Sequence, residues 1–450
     1  MSKSNFTINS TEYPKASEAN YVLGILFIAY TFSFIDRQVL GVLIGPIKED
    51  LQITDFEFSL LQGVAFAILY AVMALPFGRM ADTKSRKTIM SLGVFFWSLM
   101  TIGCGMAKNF TQLFVMRMGV GIGEAALSPA AYSTITDSFP RKKLTRSMAI
   151  YKAGTVMGSG LALVFGGKLF DYYSSIENLS FPLIGSIAPW QATFITFGLP
   201  GMLIALLIFL TNEPTRKGLL KTSNTTSHSL PIKEVVNYMF VEHRQLYTSI
   251  FGGCAVLGIV TAGYSAWFTE MLIRDFSLTR GQAGASAGYV YIGAGLLGVL
   301  SGPLFVGFFE KRGYKNAAMR ALLLFAIVIM PAAIVAPQMP SPTLALAFMA
   351  IVIFFQGAYM GVSAAAVQMV SPNQMRGQAA AFYLFFVSIL AMALGSSFIA
   401  GLTDFVFRDE SALHDSISLA SAILVPIAAL LFWKGLRPFT RAIEASEKWG

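Results

Sequence analysis

Five charged residues lie inside long apolar stretches of the sequence. Asp36 and Arg37 interrupt residues 21–44, Arg117 and Glu124 fall within 110–132, and Lys152 lies near the start of 146–169. A charged side chain at the centre of a bilayer costs roughly 2.5–3.5 kcal/mol on insertion scales. Ionisable residues kept at such a cost usually line a pathway or cavity, although a neutralised pair can also serve only to lock neighbouring helices together.

The spacing of these residues predicts two charge pairs. Arg117 and Glu124 are seven residues apart, about two turns, so they share one helix face. At about 1.5 Å per residue, Asp36 lies level with Arg117, while Arg37 can reach down towards Glu124. An acid that alternates between an arginine and water binds protons differently in two states. We therefore take Asp36 and Glu124 as candidate proton-coupling residues, with Arg37 and Arg117 as their charge partners.

The composition is that of a polytopic membrane protein. Hydrophobic residues make up 55% and charged residues 13% of the 450-residue chain, against roughly 45–50% and 25% for soluble domains. The net charge of +9 does not indicate a nucleic-acid partner, because the basic residues concentrate in loops on one side. Cys104 and Cys254 lie within apolar stretches, so neither a disulfide nor a metal site is expected. The sequence lacks a phosphate-binding G-x-x-x-x-G-K-[ST] loop, and we expect no cofactor and no enzyme activity.

The hydropathy pattern predicts twelve transmembrane helices in an all-α fold. They are residues 21–44, 57–78, 87–107, 110–132, 146–169, 190–211, 246–272, 283–308, 317–337, 342–366, 374–400 and 416–436. Basic clusters such as 84–87, 141–146 and 311–320 fall in loops on the same side as the N-terminus, whereas the opposite loops are acidic. The positive-inside rule then places both termini in the cytoplasm, and we expect a multi-pass protein of the plasma membrane.

The chain divides into two halves that share a repeated sequence pattern. Pro140 and Arg146 follow span 4, and Pro372 and Arg376 follow span 10 at a similar offset. A duplicated six-helix unit is the parallel-repeat plan of many secondary transporters. We therefore predict a cytoplasmic tail (1–20), a six-helix bundle (21–213), a cytoplasmic linker with an amphipathic helix (214–245), a second six-helix bundle (246–440) and a cytoplasmic tail (441–450).

Two motifs resemble those of the major facilitator superfamily. GRMADTKSRK (78–87) resembles the family's loop between helices 2 and 3, with Thr83 and Ser85 departing from its usual Arg and Gly. RMGVGIGEA (117–125) resembles its helix 4 motif, and WQATF (190–194) is a weaker match at helix 6. Within the superfamily, FIDR (34–37), SLLQ (59–62) and Trp267 resemble the spinster branch of lipid exporters, although an Asp-Arg pair in helix 1 also occurs in an organic-anion symporter branch.

The resemblance implies further site residues. In the family plan, helices 1, 4, 7 and 10 line a central cavity, which makes Tyr264, Trp267, Gln356 and Tyr359 candidate substrate contacts. Lys152 is a further candidate, with snorkelling to the interface as the alternative. The cytoplasmic gate would contain Gly78, Asp82, Arg86, Arg146 and Arg376. Glycines 154 and 158 of helix 5 and 284, 288, 295 and 302 of helix 8 would let the two halves rock against each other.

The sequence thus predicts a proton-coupled secondary transporter that works by alternating access as a monomer. The spinster resemblance implies an amphiphilic lipid substrate, such as a lysophospholipid or a sphingosine-phosphate-like molecule. The alternative is a proton-coupled symporter of small organic anions. An apolar wall in the second half would favour the lipid, and a mostly basic cavity would favour the anion. A non-transporting receptor or channel is a third interpretation, against which the paired repeats argue.

Overall fold

The computed structural model describes residues 13–181, 185–216, 232–372 and 375–446 and is almost wholly helical. The first half contains α1 (Ala16–Gln38), α2 (Ile44–Leu51), α3 (Asp55–Ser59), α4 (Ala65–Thr83), α5 (Arg86–Cys104), α6 (Phe110–Ala125), α7 (Leu127–Ser138), α8 (Arg141–Ser174), β1 (Ser180–Phe181), β2 (Gly185–Ser186) and α9 (Pro189–Phe209). The second half contains α10 (Ile232–Asn237), α11 (Arg244–Phe276), α12 (Arg280–Glu310), α13 (Ala317–Val335), α14 (Pro342–Met369), α15 (Arg376–Gly401) and α16 (Leu413–Ser446).

Short turns of other helix types extend several of these elements. One 3₁₀ turn (Val39–Val42) continues α1, another (Ala336–Gln338) follows α13, and a third (Glu410–Ala412) precedes α16. Turns of π-helix join α3 to α4 (Leu60–Val64), follow α10 (Tyr238–Glu242) and follow α15 (Leu402–Phe407). The two strands form a small antiparallel hairpin between α8 and α9.

Eleven helical segments of the described chain are long and apolar enough to cross a membrane. The remaining predicted span corresponds to α6 and α7, which meet at Ala126 and carry Arg117 and Glu124. With α6 and α7 counted as one further span, the described residues contain twelve spans, in agreement with the predicted fold class. The first described residue and the last then lie on the same side, here called the terminal face. The other side is called the closed face.

Several helices extend beyond the predicted spans. The first helix begins at Ala16 and the last continues to Ser446, so helix enters both segments that were predicted as tails. In the linker, α10 and its π turn bury Val235 and Met239 but expose Ile232 and Val241. Exposed apolar residues on a short surface helix fit the predicted amphipathic character of this segment. Residues 217–231 of the linker lie outside the described residues.

Polar caps start the helices that enter from the closed face. Thr54, Asn109, Thr279 and Ser341 each accept a hydrogen bond from a main-chain N–H in the first turn of α3, α6, α12 and α14. Such a cap typically stabilises a helix by about 1 kcal/mol. These caps fix where spans 2, 4, 8 and 10 begin.

Each half packs mainly on itself, and the largest contacts between the halves involve α12 and α15. In the first half α1 packs on α8 and α5 on α9; in the second, α11 packs on α15 and α16, and α12 on α14. Between the halves, α8 packs along α12, and the π turn of span 2 packs on α15. This arrangement agrees with two six-helix bundles, while the exact domain limits stay a prediction.

Small residues bring α8 and α12 into main-chain contact, as predicted, but not all the predicted glycines take part. A Cβ on Gly288 would lie 2.5 Å from the main-chain oxygen of Gly160. Gly284 and Gly295 also face α8, whereas Gly302 faces α14. Gly154 and Gly158 pack on α1 at Phe27, Thr31 and Phe34 instead of on α12. The pattern of small residues indicated close packing without saying which neighbour would fill the space.

Candidate functional site

An ion pair links span 1 to span 4 inside the first half. The Nη2 of Arg37 lies 2.5 Å from Oε2 of Glu124, and its Nε donates to the same oxygen at 2.7 Å. Ser33, one turn before Arg37, also donates to this oxygen at 2.6 Å. The Glu124 side chain is fully buried. The structure therefore contains the predicted contact of Arg37 with Glu124.

Aromatic rings hold the Arg37 guanidinium in place. Its carbon lies 4.5 Å from the ring centroid of Phe66, 4.8 Å from that of Phe34 and 5.0 Å from that of Tyr70. A cation over an aromatic face gains about 0.5–2 kcal/mol, more where water is excluded. The rings thus keep the cation aimed at Glu124 where solvent access is low.

Asp36 lies beside this pair and contacts different residues. It is only 2% exposed, and its Oδ2 accepts a hydrogen bond from Thr101 at 3.2 Å. The guanidinium of Arg117 donates to the main-chain oxygen of Asp36 at 3.1 Å. Arg117 is level with Asp36, as predicted, but here it reaches the main chain of that residue and not its carboxylate.

Three atoms of these charged groups are buried without a hydrogen-bond partner among the described residues. They are Oδ1 of Asp36, Oε1 of Glu124 and Nε of Arg117. A buried polar atom that lacks a partner costs about 1–3 kcal/mol. Both acids therefore have an oxygen available for a proton or for a polar group of a ligand.

Lys152 points into the interior of the first half. Its amine donates to the hydroxyl of Tyr30 at 3.2 Å and lies over the ring of Tyr132, 5.2 Å from the centroid. Tyr30 lies well inside span 1, so the amine does not reach the membrane surface as the snorkelling alternative required. The residue as a whole is exposed, which indicates that it borders an open space between the helices.

The four predicted aromatic and polar contacts of the second half are mostly buried. Trp267 donates through Nε1 to Ser396 O at 2.9 Å, and Tyr359 donates to Cys254 O at 2.8 Å. Tyr264 is 1% exposed and its hydroxyl is without a partner in the described chain, while Gln356 is half-buried. Trp267 and Tyr359 thus have structural hydrogen bonds, and Gln356 is the one that is partly accessible.

The predicted gate residues lie at the terminal face. Arg86 is fully buried and binds Glu213 through Nε at 3.0 Å, Asp137 through Nη1, and Pro214 O through Nη2 at 2.5 Å. Two of these partners belong to the first half and Pro214 begins the linker, so Arg86 ties the first half together without contacting the second. Arg146 is exposed, Gly78 has open space beside it, and the side chains of Asp82 and Arg376 lie outside the described residues.

The Glu213 carboxylate in this network is held in its ionised form. Partial burial alone would raise the pKa of its carboxyl, but hydrogen bonds from Ser85 and from the main chain and side chain of Arg86 lower the pKa below its usual range. Glu213 therefore stays ionised and anchors the end of span 6 to the loop between spans 2 and 3.

A second cluster of charges, not predicted from the sequence, joins the halves at the closed face. We call it the closed-face cluster: Lys48, Asp55, Glu270, Arg274, Arg280 and Glu410. Arg274 binds both oxygens of Asp55 at 2.8 Å. Lys48 lies 2.5 Å from Asp55 and 2.7 Å from Glu410 of the other half. Arg280 lies 3.0 Å from Glu270 and donates to Val42 O across the halves at 2.9 Å.

Further hydrogen bonds close the same face. Asp404 accepts from the main-chain N–H of Phe56 at 2.7 Å, and Asp171 accepts from Thr279 Oγ1 at 2.8 Å. The spacing of Glu270 and Arg274, one helical turn apart, was a sequence signal for part of the cluster. Its partners come from distant segments, so periodicity alone could not have assembled it.

The comparisons with known proteins agree with this architecture. The family model of the Major Facilitator Superfamily matches residues 26–396. The chain is 24% identical over 428 residues to an MFS-type efflux pump of Mycolicibacterium smegmatis, covering 94% of this chain and 93% of that one. It is 30% identical over 258 residues to protein spinster homolog 1 of Xenopus tropicalis, covering 56% of this chain and 45% of the other.

A solved structure matches over nearly the whole chain. It is that of a bacterial homologue of the human lysosomal transporter Spinster in an inward-facing, occupied conformation. The TM-score is 0.78 at 26% identity, over 95% of this chain and 99% of that chain. A D-xylose–proton symporter, 13% identical with a TM-score of 0.66, shares the fold.

The chain belongs to the major facilitator superfamily and is a multi-pass membrane transporter, not an enzyme. Within the superfamily it resembles the spinster branch. It spans about half the length of the spinster homologues that it matches.

Proposed function

We propose that the chain is a proton-coupled secondary active transporter that carries an amphiphilic lipid, such as a lysophospholipid or a sphingosine-phosphate-like molecule. The observation that carries this proposal is an asymmetry of charge between the two halves. The first half has five charged side chains in the interior of its spans, away from the span ends, at positions 36, 37, 117, 124 and 152. A lipid with a polar head and an apolar tail needs a cavity with one charged wall and one apolar wall.

The composition of the second half is consistent with an apolar wall of the cavity. Residues 245–269, 281–309, 321–375 and 377–403 contain no Asp, Glu, Lys or Arg. Polar groups there are hydroxyls and amides, several of them hydrogen-bonded to the main chain, as for Tyr359 and Trp267. Such a surface accepts an acyl chain at little desolvation cost. A small, fully polar solute would find few partners on this side.

The first half supports proton coupling. Asp36 and Glu124 lie within the spans beside two arginines, and each has one buried oxygen without a partner among the described residues. Protonation of either acid would weaken its attraction to the arginines and free them for a substrate. A change of partner that follows a proton is the coupling that a proton-driven carrier requires.

The side from which the substrate enters follows from the different contacts at the two faces. Contacts between the halves at the closed face leave the terminal face as the side of access, in keeping with the inward-facing conformation of the matching structure. We place both termini in the cytoplasm and the protein in the plasma membrane, because the basic loops lie at the terminal face. The predicted gate around Asp82 and Arg376 would close that face in the opposite state. A monomer suffices for this mechanism.

The second candidate is a proton-coupled symporter of small organic anions. One observation favours it: the chain is 28% identical over 254 residues to a probable L-galactonate transporter of Escherichia coli, covering 54% of this chain and 51% of that one. The lack of charged residues in stretches 245–269, 281–309, 321–375 and 377–403 favours the lipid, since a polyhydroxylated acid would need hydrogen-bonding groups on both walls.

Reconstituted liposomes test the proposal. With an imposed pH gradient, the purified protein should move a lysophospholipid faster than a panel of small organic anions. Asp36→Asn should fold but lose the response to the gradient, while Thr101→Val, which removes the hydrogen bond to Asp36 and keeps the acid, should retain it. Gradient-driven transport that is unchanged in Asp36→Asn would refute the proton site, and transport of organic anions alone would refute the lipid.

A further inference from the structure

We propose that the amine of Lys152 and the hydroxyls of Tyr30 and Tyr132 form the subsite for a net anionic head group of the substrate. The inference rests on the proposed function in one respect, the presence of a lipid tail on that ligand. The site itself is defined by three spans of the first half, because Tyr30 lies in α1, Tyr132 in α7 and Lys152 in α8.

The surrounding side chains hold the Lys152 amine in a fixed position before any ligand binds. The Lys152 amine lies 3.2 Å from the Tyr30 hydroxyl, 5.3 Å from the Tyr30 ring centroid and 5.2 Å from that of Tyr132. Tyr151 stacks on Tyr30 at 4.3 Å and meets Tyr132 edge-on at 5.6 Å. The packed rings hold the amine at one point, and the Tyr30 hydroxyl that accepts from it can donate its own proton to an anion.

The balance of charge leaves this amine uncompensated. Arg37 is paired with Glu124, and Arg117 lies beside Asp36. Away from their ends, the spans of the first half hold three cations (Arg37, Arg117 and Lys152) and two acids (Asp36 and Glu124), so one positive charge remains there when both acids are ionised. No carboxylate within the described chain lies within ion-pair distance of Lys152. An uncompensated cation within the membrane is costly unless an anion or water reaches it.

The Lys152 residue is also exposed on the side from which a substrate would enter. Lys152 is exposed although it lies beside Tyr30, fourteen residues into α1 and about 21 Å along that helix at 1.5 Å per residue. This combination places it at mid-membrane depth on the open side. Lys168, two turns before the end of the same helix, borders a different groove of about 590 Å³ between spans 1, 5 and 6. It offers a matched control.

The ligand class follows from the chemistry of the subsite. One ammonium and two phenol hydroxyls suit a phosphate monoester or a carboxylate with net negative charge. A zwitterionic head would bring its own cation to a site that already has one. We therefore expect a lysophosphatidate to bind more tightly than a lysophosphatidylcholine or a monoacylglycerol with the same acyl chain.

Equilibrium binding to the purified full-length protein in lipid nanodiscs tests the subsite without transport. The protein should prefer the lysophosphatidate over the monoacylglycerol by roughly tenfold or more. Lys152→Met should abolish this preference and leave the monoacylglycerol affinity unchanged, whereas Lys152→Arg and Lys168→Met should keep it. Tyr132→Phe, which retains the ring, should weaken the preference severalfold, and it serves as the second variant if Lys152→Met does not fold.

Hexyl phosphate, a soluble probe with a short tail, separates this inference from the proposed function. If it binds as tightly as the lysophosphatidate and loses affinity in Lys152→Met, the anion subsite stands and the lipid proposal fails. If Lys152→Met leaves the affinity for both anions unchanged, the subsite is refuted, whatever the lipid transport assay shows.

Discussion

At the scale of single residues, Glu124 combines a strong ion pair with an incomplete set of partners. Arg37 and Ser33 both bind its Oε2, while Oε1 is buried with no partner in the described chain. Burying two charges costs several kcal/mol each, and the mutual attraction repays this only with further hydrogen bonds. A carboxylate that is half satisfied in one conformation is well placed to gain a proton in another.

Glu124→Gln tests this role. The amide keeps an oxygen for Ser33 and Arg37, so we expect a stable protein whose proton-driven transport falls by at least about tenfold. Arg37→Ala is the contrasting variant, because it leaves a buried carboxylate unpaired at a cost of about 3–5 kcal/mol. Transport in liposomes and thermal unfolding should be measured together. Loss of folded protein in Glu124→Gln with normal activity per folded molecule would instead assign the pair a purely structural lock.

Sequence spacing predicted which of these residues meet, but not through which atoms. Depth along two helices placed Arg37 near Glu124 and Arg117 level with Asp36, and the structure has both contacts. Helix geometry does not fix side-chain rotamers, so it could not tell that Arg117 binds the main chain of Asp36. The environment of Lys152 also escaped prediction, since it depends on Tyr30 and Tyr132 from two other spans.

At the scale of helices, the contact between α8 and α12 is the longest one between the halves. Gly160 and Gly288 face each other there, each with its would-be Cβ close to the other's main-chain oxygen. Close packing of main chains along small residues is the usual means of helix association in membranes. The contact continues from Gly167 near the closed face to Val156, opposite Gly295, so we expect it to act as a hinge surface along about a third of α8.

Gly288→Ala should push α12 away from α8. Its Cβ would lie 2.5 Å from Gly160 O, closer than real contacts allow, so the helices must separate and the conformation with the closed face shut must lose stability. Gly293→Ala, on the same helix with open space around it, controls for the gain in helix propensity of roughly 1 kcal/mol. We expect slower transport and a lower unfolding temperature only in Gly288→Ala, and equal effects of the two variants would contradict the hinge surface.

At the scale of the whole molecule, the two faces are held by different kinds of contact. Ion pairs and hydrogen bonds join the halves at the closed face, whereas the Arg86 network at the terminal face stays within the first half. Only contacts that differ between two conformations can shift their populations. The closed-face cluster should therefore favour the terminal-face-open conformation, while the Arg86 network should stabilise one half in every conformation. The sequence revealed the repeat and the acidic closed-face loops but not this cluster, whose six members come from five helical elements.

Asp55→Asn should shift the molecule towards the opposite conformation. Asp55 is fully buried and binds Lys48 of its own half and both terminal nitrogens of Arg274 of the other half, so the contact with Arg274 exists only while the halves meet at the closed face. Loss of on the order of 2 kcal/mol from this conformation alone would change the ratio of the two populations by roughly thirtyfold.

Spin labels at the exposed positions Lys108 and Thr343, one in each half at the closed face, report that separation, and labels at Lys84 and Lys311 report the terminal face. In Asp55→Asn the first distance should lengthen and the second shorten. Asp50→Asn is the matched control, because Asp50 binds Trp190 within the same half at 2.9 Å and should leave both distances unchanged. If Asp55→Asn and Asp50→Asn give the same distance distributions as the parent protein, the closed-face cluster does not hold the halves together. In that case the glycine contact between α8 and α12 must supply the difference in free energy between the two conformations.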